Sequence, residues 1–201
     1  KATLEENLAM IKETVEYLVA NNRKVIYDAE HFFDAWYANP DYTMKTLKAA
    51  VEGGASVLAL CDTKGGTMPM EILKSVTAVT SEFSGVKTPQ GIPVEIGIHT
   101  HNDAGLAVAN SLMAVEAGAS HIQGTLLGFG ERTGNANLSS IISNLELKMN
   151  VPCLPEGKLK LLTSVCKQVA EISNLPLENG MPYVGSNAFA HKAGMHIDAL
   201  G

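Results

Sequence analysis

Two histidines separated by one residue are the clearest chemical signal in this sequence. His99 ends the stretch Val94 to His99, which is predicted to be a β-strand, and His101 follows two residues later. Alternate residues of a strand project to the same face, so both imidazoles could bind one ion such as Zn, Mn or Fe. An isolated pair of this kind is more often just two partly exposed histidines, but the strand end and the neighbouring Asn102 and Asp103 favour a metal site. Asp103 either orients a histidine or caps the next helix.

Two carboxylates with the same spacing follow an earlier apolar pair. Asp28 and Glu30 share one face of a predicted strand, so a carboxylate for proton transfer is available there. The alternative is a structural carboxylate in a salt bridge or at a helix start. Thr63, directly after Asp62, either hydrogen-bonds a substrate carboxylate or ends its strand with a local turn. Spacing alone leaves these alternatives open.

A glycine-rich segment, 128–137, and the end of the chain supply the remaining polar groups. Glu131, Arg132 and Asn135 offer an acid, a clamp for a carboxylate and a neutral oxygen ligand, unless the segment is only a polar loop. His196 is either a surface histidine or an acid or base that folds over the site. The spacing leaves that open as well.

The elements that would position these groups alternate between strands and helices. We predict helices over 4–19, 42–52, 69–83, 104–117 and 138–148, and strands over 24–30, 56–61, 94–99 and 120–126. The segment 50–56 also recurs as 114–120, which indicates repeated units. Strict alternation implies a parallel sheet covered by helices, and active sites of parallel barrels lie where the strands end.

Four such units are more typical of half an eight-stranded barrel than of a doubly wound sheet. We therefore predict an α/β fold, the C-terminal half of a TIM (β/α)8 barrel with strands five to eight, over residues 1–150. Pro152 and Pro155 mark a change of character, so a helical linker is predicted over 151–201.

Composition excludes several classes of function. Fifteen Lys and Arg against 21 Asp and Glu give a net charge of −6, which argues against binding of nucleic acid or of an anionic membrane. Three cysteines without Cys-x-x-Cys spacing suggest neither a disulfide framework nor a cysteine zinc site. This cysteine pattern fits a reducing cytosol best, so we expect a cytoplasmic protein. No apolar run is long enough for a membrane span, and the start carries no signal pattern.

Several motifs together resemble a known family. The segments 99–103 (His-Thr-His-Asn-Asp) and 130–138 (Gly-Glu-Arg-Thr-Gly-Asn-Ala-Asn-Leu) resemble the acetyl-CoA-dependent Claisen condensing enzymes related to 2-isopropylmalate and homocitrate synthases, of the DRE-TIM metallolyase superfamily. The segments 27–34, 182–185 and 188–192 are most similar to the citramalate-forming branch. The resemblance covers essentially the whole chain. It implies a TIM barrel with a divalent metal (Mg, Mn or Zn) that joins acetyl-CoA to pyruvate, giving citramalate and CoA for isoleucine biosynthesis.

The resemblance also implies roles for individual residues. His99 and His101 match the two metal-binding histidines of the family, and Asn135 matches the asparagine at the metal. Glu30 matches the catalytic glutamate at a strand end. His196 matches a linker histidine that takes part in acid–base catalysis and reaches across a homodimer, so we expect a homodimer here.

Substrate binding completes the expected site. Thr63 matches the threonine that contacts the carboxylate of the keto acid. We add Asp28, which shares a strand face with Glu30, and Arg132, which could clamp a carboxylate. The Asp-Arg-Glu motif on the family's first strand has no counterpart in this chain. We therefore expect the chain to begin just before the fifth strand, and to be inactive without the missing half.

Three alternatives stay open at this point. A sister enzyme, 2-isopropylmalate or homocitrate synthase, would differ only in the keto acid. A lyase similar to hydroxymethylglutaryl-CoA lyase would carry a cysteine in a glycine-rich loop after the fourth strand, and none of the three cysteines stands there. A non-catalytic, dimerising half barrel would keep the site residues without turnover.

Overall fold

The computed structural model of the protein describes residues 2–190. The chain forms two compact units. Among the described residues, the first unit comprises 2–124 together with 131–136, and the second comprises 125–130 together with 137–190. The division of function between residues 1–150 and 151–201 stays a prediction.

The first unit alternates strands with helices, as the sequence predicts. Its strands are β1 Ile26–Ala29, β2 Val57–Asp62, β3 Glu95–Thr100 and β4 His121–Gln123. Its helices are α1 Leu4–Ala20, α2 Phe32–Ala38, α3 Pro40–Gly53, α4 Pro69–Glu82 and α5 Ala107–Glu116. Local signals explain the helix ends. Thr3 and Glu6 form a capping box at the start of α1, and Gly54 adopts a left-handed conformation (φ 110°) at the end of α3.

The four strands form one parallel sheet in the order β1-β2-β3-β4. Helices lie between successive strands, and each strand pairs with the one before it in the chain. This is the arrangement of an α/β barrel, so the prediction of a partial barrel is confirmed. The register places Cys61 beside His99 and His99 beside Gln123. It also pairs Asp28 with Ala59.

The two faces of this sheet differ in chemistry. One face carries Leu58, Leu60 and Ile98, which are fully buried in a core with the helical residues Phe32 and Leu47. Because side chains alternate along a strand, the residues between these belong to the other face. That second face carries two residues of the predicted site, Asp28 and His99, and with them Cys61 and Gln123.

Several elements differ from the sequence prediction. Helix α2 was not predicted, because only seven residues separate His31 from Asn39 and a helix of that length has almost no periodicity. Strand β4 ends at Gln123 instead of continuing to 126, since a short 3-10 helix, Leu126–Gly128, follows it closely. Helix α5 begins at Ala107, three residues later than predicted.

The second unit is helical. It contains α6 Leu138–Asn144, which continues as a π-helical turn, and α7 Leu162–Ser173. Its core includes the buried residues Leu127, Cys166, Ala170 and Val184. No helix within residues 2–190 is both long and apolar enough to cross a lipid bilayer.

Candidate active site

The two histidines lie side by side at the carboxyl end of β3. His99 is the penultimate residue of the strand, and His101 follows one residue beyond its end. Their ring centroids are 5.1 Å apart and the rings are inclined by 47°. The structure thus brings the two imidazoles together, as the spacing predicts, while metal binding by them stays a prediction.

Asn135 lies beside His101 because the segment 131–136 is attached to the end of β3. The main-chain amide of Asn102 donates to the carbonyl of Gly134 (2.9 Å), and the amide of Ala136 donates to the carbonyl of Thr100 (3.0 Å). An antiparallel bridge pairs His101 with Asn135. Residues 34 positions apart are therefore neighbours, and the third predicted ligand stands next to His101.

The environment of His101 favours a neutral imidazole. Burial lowers the pKa of His101, and the neighbouring His99 and Arg132 lower it further, whereas Asp103 and Glu131 act in the opposite direction. Within residues 2–190, its Nδ1 atom is buried without a hydrogen-bond partner. A buried ring nitrogen without a partner fits a metal ligand, since metal ions bind the neutral imidazole.

The donor set of the described residues is nevertheless incomplete. Across residues 2–190, no group of three or more His, Cys, Asp or Glu side chains is placed so that it could hold a metal ion. Two imidazoles and the amide of Asn135 could bind a divalent cation only together with further ligands. Substrate oxygens or the family's first-strand aspartate would have to supply these ligands.

Glu30 and Thr63 are in direct contact at the ends of β1 and β2. The Thr63 hydroxyl donates to Glu30 Oε2 (2.8 Å) and accepts from the main-chain amide of His31 (2.7 Å). His31 takes up a left-handed conformation (φ 56°), which turns the chain into α2 directly after Glu30. The single donor of Thr63 is thus committed to Glu30 rather than open to a substrate.

The negative charges of Glu30 and Asp28 act on Cys61, the residue paired with His99. Burial raises the pKa of the Cys61 thiol, and the negative charges of Glu30 and Asp28 raise it further. Cys61 is paired with His99 in the sheet. The candidate proton-transfer group and the candidate metal ligands therefore belong to one cluster at the ends of adjacent strands.

The side chain of Asp28 is hydrogen-bonded to Gln123, which in turn lies beside His99. Its Oδ1 atom accepts a hydrogen bond from Gln123 Nε2 (2.8 Å), and Gln123 Oε1 lies 2.7 Å from His99 Nδ1. The predicted contact of Asp28 with substrate stays a prediction. Sequence analysis did not identify Gln123, because only the register of β3 and β4 places it beside His99.

Arg132 joins three loops of the site. Its Nε and Nη2 atoms donate to Asp103 at 2.7 and 2.9 Å, and Nη2 also donates to the carbonyl of Thr63 (2.8 Å). This contact lowers the pKa of Asp103 and raises that of Arg132. Asp103, for which the sequence left two other roles open, is thus the partner of a bidentate ion pair. The predicted clamp on a substrate carboxylate would have to use Nη1, which lies 4.0 Å from Glu131 Oε2.

Two predicted features cannot be compared with the structure. His196 lies outside the described residues. The predicted homodimer involves a second chain, so it stays a prediction too.

Comparisons with known proteins identify the family of the chain. A family model described as HMGL-like matches residues 1–169. The chain is 54% identical over its full length to (R)-citramalate synthase from Aquifex aeolicus and 50% identical to that from Synechocystis, and covers 36% of each relative. It is 35% identical to a probable 2-isopropylmalate synthase from Methanosarcina mazei, again covering 36% of that relative. The chain thus spans about a third of the length of the curated relatives it matches.

Solved structures show the same fold. The HMG-CoA lyase of Bacillus subtilis superposes with a TM-score of 0.68 at 24% identity, over 90% of this chain and 59% of that one. The carboxyl transferase domain of Rhizobium etli pyruvate carboxylase gives a TM-score of 0.57 at 20% identity, over 81% and 27% of the two chains. With the family match over most of its length, the chain belongs to the HMGL-like family, and its sequence is similar to the citramalate synthases within the DRE-TIM superfamily.

Proposed function

We propose that the protein catalyses the condensation of acetyl-CoA with a 2-keto acid, specifically with pyruvate, to give citramalate and free CoA. The observation that carries this proposal is the register of β1, β2 and β3, which places Glu30, Cys61 and His99 at the carboxyl ends of adjacent strands. A carboxylate base and a pair of imidazole ligands within one cluster are the groups that such a condensation needs. The similarity to citramalate synthases at 45–54% identity supports the choice of pyruvate.

His99, His101 and Asn135 would hold the divalent metal, which we expect to be Mg, Mn or Zn. Such an ion, when bound, polarises the ketone of the acceptor as a Lewis acid. The proximity of the two rings and the buried Nδ1 of His101 support this assignment. Burial and the neighbouring His99 lower the pKa of His101, which favours the neutral ring that binding of a cation requires.

Glu30 would remove the proton from the methyl group of acetyl-CoA. The electron pair of that C–H bond then forms the new bond to the keto carbon of pyruvate, whose oxygen takes up a proton. Water subsequently cleaves the thioester, which releases the CoA thiol and leaves a carboxylate on the product. Glu30 is exposed and follows the end of β1, so a substrate methyl group could approach its carboxylate.

Recognition of the keto acid is assigned to the polar groups around Glu30. We propose that Thr63 contacts its carboxylate, with Asp28 and Arg132 lining the same part of the site. His196, in a homodimer, would serve as the second acid–base group. Thr63 and Arg132 are linked by a hydrogen bond between main chain and guanidinium, which supports a common role.

Release of the CoA thiol tests the proposal. The full-length protein is incubated with acetyl-CoA, Mn²⁺ or Mg²⁺, and pyruvate, 2-ketoisovalerate or 2-ketoglutarate in separate reactions. We expect rapid release of the thiol from acetyl-CoA with pyruvate, and not with either of the other two keto acids. A preference for another keto acid would instead identify a sister enzyme, which the similarity to 2-isopropylmalate and homocitrate synthases makes the second candidate. No release with any of the three acids contradicts the proposal.

A further inference from the structure

A row of hydrogen bonds crosses the sheet from β1 to β3 through the side chain of Gln123. Gln123 Nε2 donates to Asp28 Oδ1 at 2.8 Å, and Gln123 Oε1 is 2.7 Å from His99 Nδ1. Asp28 lies in β1, His99 in β3 and Gln123 in β4, so three strands contribute to the row. All three side chains lie on the face of the sheet opposite the helices.

The chemistry of the three groups fixes the direction of this row. An ionised carboxylate only accepts hydrogen bonds, so Asp28 requires the amide nitrogen of Gln123. The amide oxygen of Gln123 is then turned to His99, and an oxygen without a proton requires a donor. His99 must therefore carry its proton on Nδ1. In a neutral imidazole with a protonated Nδ1, the Nε2 atom holds the free lone pair.

We propose that Gln123 is a positioning residue that holds His99 in the Nδ1–H tautomer and presents its Nε2 lone pair to the divalent metal, with Asp28 fixing the orientation of the Gln123 amide. This inference rests on the proposed metal-dependent function. It gives Asp28 a role in orienting a ligand in addition to the contact with substrate. Partners that orient a metal-binding histidine contribute about 10- to 100-fold to metal affinity.

A purely structural tie between strands would have the same hydrogen bonds but a different consequence. The strands are already joined by the main-chain pairing of β3 with β4, so loss of one side-chain tie leaves the sheet connected. A structural tie would affect the free energy of unfolding, whereas a positioning residue affects the tautomer of His99 and the affinity for metal. These quantities can be measured separately.

The test replaces Gln123 by methionine in the full-length protein. Gln123→Met keeps the length of the side chain and removes both hydrogen bonds. Gln168→Met is the matched control, because it replaces the same residue type by methionine at an exposed position on α7. Binding of Mn²⁺ alone is measured by titration calorimetry, and the protonated nitrogen of His99 is identified from ¹⁵N NMR of the metal-free protein.

We expect wild-type protein and Gln168→Met to show His99 with its proton on Nδ1 and to bind Mn²⁺ equally. Gln123→Met should show a mixture of tautomers and bind Mn²⁺ about 10- to 100-fold more weakly. Unchanged Mn²⁺ affinity in a folded Gln123→Met protein overturns the inference. A wild-type His99 with its proton on Nε2 overturns it as well, whatever the activity.

A second variant covers the case in which Gln123→Met does not fold. In Asp28→Asn the amide of Gln123 loses the carboxylate that orients it, so we expect a mixture of His99 tautomers and weaker Mn²⁺ binding. A His99 that remains entirely in the Nδ1–H form, with unchanged Mn²⁺ affinity, contradicts the role of Asp28. If the wild-type protein binds Mn²⁺ through this row but releases no CoA thiol, the proposed function fails and this inference stands.

Discussion

Replacement of Gly65 by alanine should disturb the site through Asp103. Gly65 lies in the loop after β2 with a left-handed backbone (φ 64°). A Cβ atom at this position would lie 2.5 Å from Asp103 Oδ2, 2.8 Å from the main-chain nitrogen of Asp103 and 2.9 Å from the carbonyl carbon of His101. Two of these three atoms belong to the main chain, so they cannot move away as the end of a flexible side chain does. Alanine must therefore displace the loop that follows His101.

The expected magnitude has two parts. A left-handed alanine is less stable than a left-handed glycine by roughly 1–2 kcal/mol. Forcing an additional methyl group into a packed position adds about 1–3 kcal/mol. Gly85→Ala isolates the first part, because Gly85 has nearly the same backbone (φ 73°) and nothing within 4 Å of its Cβ position. Gly65→Ala should thus lower the free energy of unfolding by about 1–3 kcal/mol more than Gly85→Ala does.

Two measurements on the same pair of variants check this reasoning. Urea denaturation followed by circular dichroism gives the free energy of unfolding of each variant, and calorimetry gives the Mn²⁺ affinity. Only Gly65→Ala should weaken Mn²⁺ binding, since only this substitution moves the main chain next to His101. Equal destabilisation by Gly65→Ala and Gly85→Ala, together with equal Mn²⁺ affinities, would refute the assignment of a close contact between Gly65 and Asp103.

Three further predictions concern single side chains. Glu30→Gln should reduce CoA release from acetyl-CoA about 10²- to 10⁴-fold while the Mn²⁺ affinity stays unchanged; a wild-type rate would remove Glu30 from catalysis. Thr63→Val should raise KM for pyruvate and Thr63→Ser should restore it, because only serine retains the hydroxyl; equal KM values would exclude a contact with the keto acid. Glu146 accepts hydrogen bonds from two main-chain amides, which lower its pKa. The folded state therefore holds this carboxylate ionised more firmly than the unfolded state does, and its stabilising effect is lost as the pH falls from the ordinary glutamate pKa through the lowered value. Glu146→Gln should flatten that part of a stability–pH curve, and an unchanged curve would contradict the pKa shift.

The order of elements was predictable because the signals for it are local. The capping box of Thr3 and Glu6 begins α1, Pro69 begins α4, and a run of apolar residues predicts the buried strand β2. Alternation of such elements then implies a parallel sheet whose strand ends face one side. The convergence of His99 and Glu30 on one cluster follows from that rule alone, before any contact is known.

The partners of the site residues were not predictable in the same way. Gln123 is 24 positions from His99 and 95 from Asp28, and only the register of three strands brings these residues together. A shift of one residue in that register would turn Gln123 to the helix-covered face. Asp103 and Arg132 pair because main-chain hydrogen bonds hold the segment 131–136 against the end of β3, and no sequence spacing encodes that attachment.

If Thr63 binds the keto acid as proposed, its contact with Glu30 would connect recognition of that substrate with the proposed proton transfer. Thr63 has one O–H donor, and the structure commits it to Glu30 Oε2. A keto-acid carboxylate is an acceptor, so a hydrogen bond from Thr63 to it would replace the bond to Glu30. That exchange leaves a lone pair of the Glu30 carboxylate without its hydrogen bond and open to a proton. Binding of the acceptor would therefore prepare the base for the methyl group of acetyl-CoA, which favours proton removal when both substrates are present.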